Sequence, residues 1–110
     1  METLFILAKR SLIMSLELIA QQQPEVIRAM YRFKNEVFKD SILTSKEKEI
    51  IAVAVTAVLK CDECFDLHAQ KAMDAGATKD EIRESLTVAM YLAGPSAIVG
   101  MPSIKKLLSE

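Results

Sequence analysis

The chain has 110 residues, of which 51% are hydrophobic and none is tryptophan, so it is long enough for one domain with a single core. Its 14 basic and 15 acidic residues leave a formal net charge of -1 without a long basic run, which argues against nucleic acid or an anionic membrane as partner. So much apolar surface in a short chain favours contact between copies of the chain.

The N-terminus does not have the pattern of a secretory signal, because Glu2 opens it and Lys9 and Arg10 lie inside the apolar stretch. The longest apolar run, 50–59, is interrupted only by Thr56 and is about half as long as a membrane span. We therefore expect a cytoplasmic protein. In that reducing compartment two neighbouring cysteines favour redox or metal chemistry over a permanent structural disulfide.

The pattern of apolar residues predicts an all-α fold, a compact bundle of about six helices, with 1–110 as a single domain. Residues 2–20 are predicted to form the first helix. Ile6 and Ile13 fall on its charged side, which indicates either a subunit contact or two tolerated surface isoleucines. No stretch alternates apolar and polar residues as a strand does.

A second helix is predicted from Pro24 to about Lys39. Proline suits a first helical turn because its missing N–H would have no partner there. The apolar residues of this segment recur at helical spacing and form one stripe, made of Val26, Met30, Phe33 and Val37.

The third helix is predicted at residues 45–59. It follows Thr44 and Glu47, which have the spacing of a capping box. Beyond Glu49 it is apolar on every side, so we expect it to be the central buried helix, paired antiparallel with a fourth helix at 61–75.

Gly76 supplies the usual stop for the fourth helix. Thr78 and Glu81 repeat the capping-box spacing and begin a fifth helix, which ends at the Gly-Pro pair at 94–95. The buried stripe predicted for it consists of Ile82, Leu86, Ala89 and Ala93. The tail from Ser96 is less regular and is predicted to contain a final helical turn or two.

Both cysteines and the only histidine fall within eight consecutive residues. On a helix Cys61, Cys64 and His68 project from one face, so the thiols can close a disulfide and the imidazole can exchange a proton with the nearer sulfur. An antiparallel hairpin that pivots near Lys60 places Glu49 at the level of His68. A partly desolvated carboxylate beside an imidazole can carry a proton.

Charges around the cysteines have opposite effects on the stability of a cysteine thiolate. A thiolate at the start of a helix is stabilised by the unpaired N–H groups and by a nearby imidazolium. The negative residues Asp62, Glu63 and Asp66 disfavour this thiolate. The sequence leaves open whether the pKa of the thiol is raised or lowered overall. The simpler alternatives are that the cysteines and histidine are packed core residues and that Glu49 is a solvated residue of a first helical turn.

The spacing of Glu49, Cys61, Cys64 and His68 resembles the signature of the carboxymuconolactone decarboxylase superfamily, in its alkylhydroperoxidase D-like branch. The stretch 69–78 is also similar to that family. The resemblance implies an all-helical protomer that assembles into homo-oligomers, trimers or hexamers. It further implies that Cys64 attacks the substrate, that Cys61 resolves the product, and that Glu49 and His68 relay protons.

The chain departs from that pattern at Glu63, where the family's best-studied members have a histidine before the second cysteine. The departure weakens the expectation of peroxidase activity and leaves dithiol-disulfide exchange unaffected. The favoured hypothesis is a thiol-disulfide oxidoreductase that reduces hydroperoxides or protein disulfides, without a bound cofactor, and is reduced again by a thiol reductant protein.

Three alternatives stay open. Cys61, Cys64 and His68 are candidate ligands of a metal ion or an iron-sulfur cluster, although one chain offers too few soft ligands for a closed site. The second alternative is a lyase that decarboxylates a carboxylated lactone, as the superfamily name implies. The third is a structural protein with a decayed site.

Overall fold

A computed structural model of the chain describes residues 15–110. The internal contacts divide the chain into two compact units, Met1–Lys39 and Asp40–Glu110. The single domain that the chain length indicates stays a prediction, and the two units are described in turn.

The described part of the first unit consists of two helices separated at Gln23. The prediction of a helix at 2–20 lies largely outside the described residues, and so do Ile6 and Ile13; the part that the structure describes, 15–22, is helical and is called α1. The second helix, α2, spans Pro24–Phe38 with proline in its first turn, as predicted.

Helix α2 carries the apolar stripe predicted for it, but no residue of α2 is buried. Phe33 is 72% exposed. The other three members are also exposed: Val26, Met30 and Val37. All four side chains of the stripe are therefore exposed, Phe33 most of all.

The second unit consists of four α-helices and one 3-10 turn. These are α3 (Ser45–Val58), α4 (Asp62–Asp74), α5 (Lys79–Ala93), the 3-10 turn (Pro95–Ile98) and α6 (Pro102–Ser109). Residues 15–110 contain no β-strand, so the all-α prediction is confirmed for them. Within the same range, no helix is both long enough and apolar enough to cross a membrane.

Both predicted capping boxes are present and define where α3 and α5 begin. The Glu47 N–H donates to Thr44 Oγ1 at 3.1 Å, and the Thr44 N–H donates to Glu47 Oε1 at 3.0 Å. Thr78 and Glu81 make the same two bonds, at 3.1 and 3.0 Å. Each box satisfies backbone donors that the first helical turn leaves unpaired.

Small side chains determine how closely α3 and α4 pack. Ala57, Ala69 and Ala72 are buried, and an alanine lets two helix backbones approach each other. The core around these helices is completed by larger side chains, of which the most buried are Phe65, Ile82, Ile104 and Val53. Burying a side chain of this size contributes about 1.5 to 3 kcal/mol.

Helix α3 is central, but it is not buried on every side as predicted. Val53 and Ala57 are buried, whereas Ile51, Val55 and Val58 are exposed. The reason is that α4, α5 and the 3-10 turn, which contact α3 within its unit, cover only part of its circumference.

The predicted stripe of α5 requires a smaller correction. Ile82, Leu86 and Ala89 are buried as expected, but Ala93 is exposed. Ala93 is the last residue of the helix, and the chain turns away at Gly94, whose φ is 88°. A stripe extrapolated from periodicity does not take account of where the helix ends.

Candidate active site

The turn between α3 and α4 fixes the position of the first cysteine. Lys60 has a φ of 60°, and its N–H donates to the Ala57 carbonyl at 3.1 Å. The Cys61 N–H donates to the Thr56 carbonyl at 3.2 Å. These two bonds form a Schellman motif, so the hairpin does pivot at Lys60 as predicted. The Lys60 Nζ also donates to the Val99 carbonyl at 2.9 Å.

Cys61 and Cys64 are joined by a disulfide, and their Cα atoms lie 5.2 Å apart. Cys61 is the N-cap of α4, and its Sγ accepts a hydrogen bond from the Cys64 N–H at 3.3 Å. Both residues are half-buried. The pairing expected from the one-turn spacing is therefore present at the start of α4.

His68 lies one helical turn after Cys64 and contacts Glu49 on α3. The distance between His68 Nδ1 and Glu49 Oε2 is 2.6 Å. Glu49 is only 5% exposed, and His68 is half-buried. The predicted juxtaposition of carboxylate and imidazole is confirmed, and the close packing of α3 on α4 is what allows it.

This contact determines what the imidazole can do. An ionised carboxylate only accepts hydrogen bonds, so it requires the proton of a neutral His68 to be on Nδ1. Nε2 is then the ring nitrogen that can take up or release a proton. The arrangement can move protons beside a thiol that lies one turn away on the same helix face.

The structure also brings Ser103 to the site, which the sequence did not indicate. Asp62 Oδ1 accepts the Ser103 backbone N–H at 2.9 Å, and Asp62 Oδ2 accepts the Ser103 hydroxyl at 2.8 Å. Ser103 lies in the first turn of α6, and no side chain caps that helix at its own N-cap residue. This contact joins residues 41 positions apart, so no local motif marks it.

Glu63 is the second residue whose role the sequence did not identify. Its Oε2 lies 4.0 Å from Cys61 Sγ. In the sequence Glu63 is a negative charge near the cysteines and stands where the resembled family has a histidine, but neither feature places it at Cys61. In the structure Asp62 binds Ser103, whereas Glu63 lies beside Cys61 Sγ.

The described residues contain no group of three or more His, Cys, Asp and Glu side chains arranged to hold a metal ion. Three residues were considered above as metal ligands: Cys61, Cys64 and His68. The two cysteine sulfurs are bonded to each other, and His68 Nδ1 contacts the carboxylate of Glu49.

Comparison with solved structures shows where this fold occurs. A carboxymuconolactone decarboxylase family protein from Legionella pneumophila has a TM-score of 0.84 over 96% of this chain and 94% of that one. The two sequences are 24% identical, so the similarity is one of fold. A family protein from Thermotoga maritima, for which a part in the antioxidative response has been suggested, has a TM-score of 0.66 over 74% of this chain and 84% of that one, at 26% identity.

Sequence comparisons agree with the structural ones. An uncharacterized protein of the cox locus of Paracoccus denitrificans is 38% identical over 74 residues, which are 67% of this chain and 67% of that protein. The sequence model of the carboxymuconolactone decarboxylase family matches residues 24–103, a span that includes the cysteine pair, Glu49, His68 and parts of both units. The chain therefore belongs to the carboxymuconolactone decarboxylase family.

Proposed function

We propose that this protein is a thiol-disulfide oxidoreductase that uses Cys61 and Cys64 to reduce hydroperoxides or protein disulfides. The observation that carries the proposal is the 2.6 Å contact between Glu49 Oε2 on α3 and His68 Nδ1 on α4, the helix whose start carries the Cys61–Cys64 disulfide. A packed structural disulfide has no need of a buried acid and an imidazole beside it. A catalytic one does, because every thiol-disulfide cycle moves protons.

In the proposed cycle the reduced protein begins with a thiolate at Cys64. The sulfur attacks the terminal oxygen of a hydroperoxide, the O–O bond breaks, and the alcohol leaves with a proton from His68. Cys64 is then a sulfenic acid. Cys61 attacks it, the S–S bond forms and water leaves. With a disulfide substrate, Cys64 attacks one sulfur, the substrate S–S bond breaks and the other sulfur leaves as a thiolate; the second substrate thiol leaves when Cys61 attacks the mixed disulfide.

The position of Cys64 supports its role as the attacking thiol. Cys64 lies in the first turn of α4 and His68 lies four residues later, so both side chains are on one helix face. The N-terminal end of α4 favours negative charge on sulfur. Glu49 holds the imidazole in one orientation, as an orienting carboxylate does in other proton relays.

The reaction also implies partners. A thiol reductant protein is needed to reopen the disulfide, and we place the protein in the cytoplasm, where such reductants operate. The antioxidative response suggested for the Thermotoga maritima relative fits the hydroperoxide branch. Following the family resemblance, we propose a trimer or hexamer as the working assembly.

Turnover assays of wild type, Cys64→Ser and Cys61→Ser test the proposal. With a hydroperoxide or a small disulfide as substrate and a dithiol as reductant, we expect Cys64→Ser to be inactive. Cys61→Ser should react once and stop as a sulfenic acid or mixed disulfide, detectable by mass spectrometry. Equal turnover in wild type and Cys64→Ser would contradict the thiol mechanism.

The same variants distinguish the alternatives. Release of carbon dioxide from a carboxylated lactone that persists in Cys64→Ser would indicate a lyase in place of the oxidoreductase. Metal analysis of protein purified without chelator tests the metal or iron-sulfur hypothesis. A stoichiometric metal that is lost in Cys61→Ser would contradict the redox assignment.

A further inference from the structure

We propose that Glu63 is the proton acceptor for Cys61 in the step that closes the disulfide. This inference rests on the proposed function and deepens it, because Glu49 and His68 are assigned above to the Cys64 side of the reaction. It concerns the second half of the cycle, in which the resolving thiol must lose its proton before or while it attacks.

The geometry around Cys61 Sγ supplies both parts of such a step. Glu63 Oε2 lies 4.0 Å from the sulfur, which is within reach of an S–H donor. The Cys64 N–H donates to the same sulfur at 3.3 Å. When the disulfide is open, the Cys61 S–H can therefore donate to Glu63, and the backbone N–H stabilises the negative charge that develops on sulfur as the proton leaves.

The other carboxylates near the cysteines are engaged elsewhere. Both oxygens of Asp62 accept hydrogen bonds from Ser103. Glu49 Oε2 is bound to His68. Asp66 lines the cleft between α4 and α6, together with Lys106. Glu63 Oε2 is the carboxylate oxygen that lies beside Cys61 Sγ, at 4.0 Å.

Cys64 carries either a hydroxyl, as the sulfenic acid, or the thiol of a substrate in a mixed disulfide. The proton of Cys61 moves to Glu63, the Cys61 sulfur forms a bond with the Cys64 sulfur, and the Cys64–X bond breaks. X leaves with the electron pair of that bond and takes a proton from His68, which has regained one from water since the first half of the cycle, and Glu63 returns its proton to water. Glu63 touches the reacting sulfur and is thus proposed as a catalytic residue.

Ellman's disulfide separates the two halves of the cycle in one experiment. Attack by Cys64 on the reagent releases one thionitrobenzoate in a first phase. Attack by Cys61 on the resulting mixed disulfide releases the second in a later phase. For Glu63→Gln we expect a first phase as fast as in wild type or faster, and a second phase that is slower by on the order of 100-fold, the usual contribution of a general base.

Whether the second phase becomes slower or faster in Glu63→Gln distinguishes a proton acceptor from a simple negative charge. If Glu63 only repels a thiolate at Cys61, removal of its charge makes the thiolate easier to form and accelerates the second phase. Asp66→Asn is the matched control, since it removes a carboxylate from the same stretch of α4. We expect it to leave the second phase as fast as in wild type or faster.

The outcomes also separate this inference from the proposed function. A wild-type protein that ends with two attached thionitrobenzoates and no internal disulfide contradicts the proposed function itself. A wild-type protein that releases both equivalents and closes the disulfide supports it. In that case, an equal or faster second phase in Glu63→Gln overturns the role of Glu63 alone. Circular dichroism checks that the variants keep the helical fold.

Discussion

At the scale of single residues, the contact between Glu49 and His68 is the feature that most needs explanation. A carboxylate that is 5% exposed loses most of its hydration, and such a group is tolerated when a partner replaces the lost water. His68 supplies that partner at 2.6 Å. The pair is therefore a structural contact, and in the proposed function it is also the route for protons.

Substitutions at Glu49 separate those two roles. Glu49→Gln keeps an oxygen that can accept from His68 Nδ1 but cannot carry the proton, so we expect turnover to fall about 100-fold with little change in stability. Glu49→Ala leaves the imidazole without this partner and should also destabilise the fold by about 1 to 3 kcal/mol. Steady-state kinetics and denaturant unfolding measure the two effects. Full activity in Glu49→Gln would contradict a proton relay through Glu49.

At the scale of helices, the two capping boxes act through ionised carboxylates. The backbone N–H of Thr44 and then its side chain lower the pKa of Glu47. The backbone N–H of Thr78, followed by the side chain of Lys46, lowers the pKa of Glu81. Lys46 Nζ lies 3.0 Å from Glu81 Oε2, so the first turns of α3 and α5 are also connected to each other.

These lowered pKa values predict that the fold loses stability as the pH falls into the acid range. A glutamate with a lower pKa in the folded state stabilises the fold above its unfolded pKa, near 4.3, and this contribution is lost as the pH falls through the folded value. The variant with both Glu47→Gln and Glu81→Gln should therefore lose less stability than wild type between about pH 5 and pH 3. Denaturant midpoints measured across this range test it.

Thr44→Ser is the matched control for this experiment, because it keeps both the hydroxyl and the backbone N–H of the box. We expect its stability to fall with pH as steeply as that of wild type. If the double variant shows the wild-type slope as well, the capping boxes do not contribute to acid sensitivity.

At the scale of the whole molecule, the exposed apolar surface stands out. Residues 15–110 expose large hydrophobic side chains on both units, including the stripe of α2 and Ile51, Val55 and Val58 on α3. An amphipathic helix whose apolar side stays in water gains no stability from burial, which is unusual for a helix of this kind. This surface is consistent with the predicted homo-oligomer.

Charge placed in the stripe of α2 tests the assembly. Phe33→Glu puts a carboxylate at the centre of the apolar side, and we expect it to reduce the mass measured by light scattering after size exclusion. Asn35→Glu adds the same charge on the opposite side of α2, two residues later and about 200° around the helix, and should leave the mass unchanged. A monomeric wild type, or equal masses for all three proteins, would contradict the prediction.

Rules that involve only neighbouring residues were sufficient to predict much of this protein's structure. Helical spacing determines that Cys61, Cys64 and His68 share a face, and the capping boxes determine where α3 and α5 begin, because each box involves residues only three positions apart. The position of Glu49 beside His68 also followed from the sequence, since a tight turn at Lys60 leaves two helices of known rise per residue in a fixed register.

The rest depended on packing between distant segments. The sequence by itself determined the helices, their starts and the cysteine-histidine face, because these depend on neighbours along the chain. Only the tertiary structure decided that Ser103 binds Asp62 and that α3 is covered on part of its surface. Such contacts depend on which side chains meet when helices pack, and hydrophobic burial, which drives that packing, has no direction of its own.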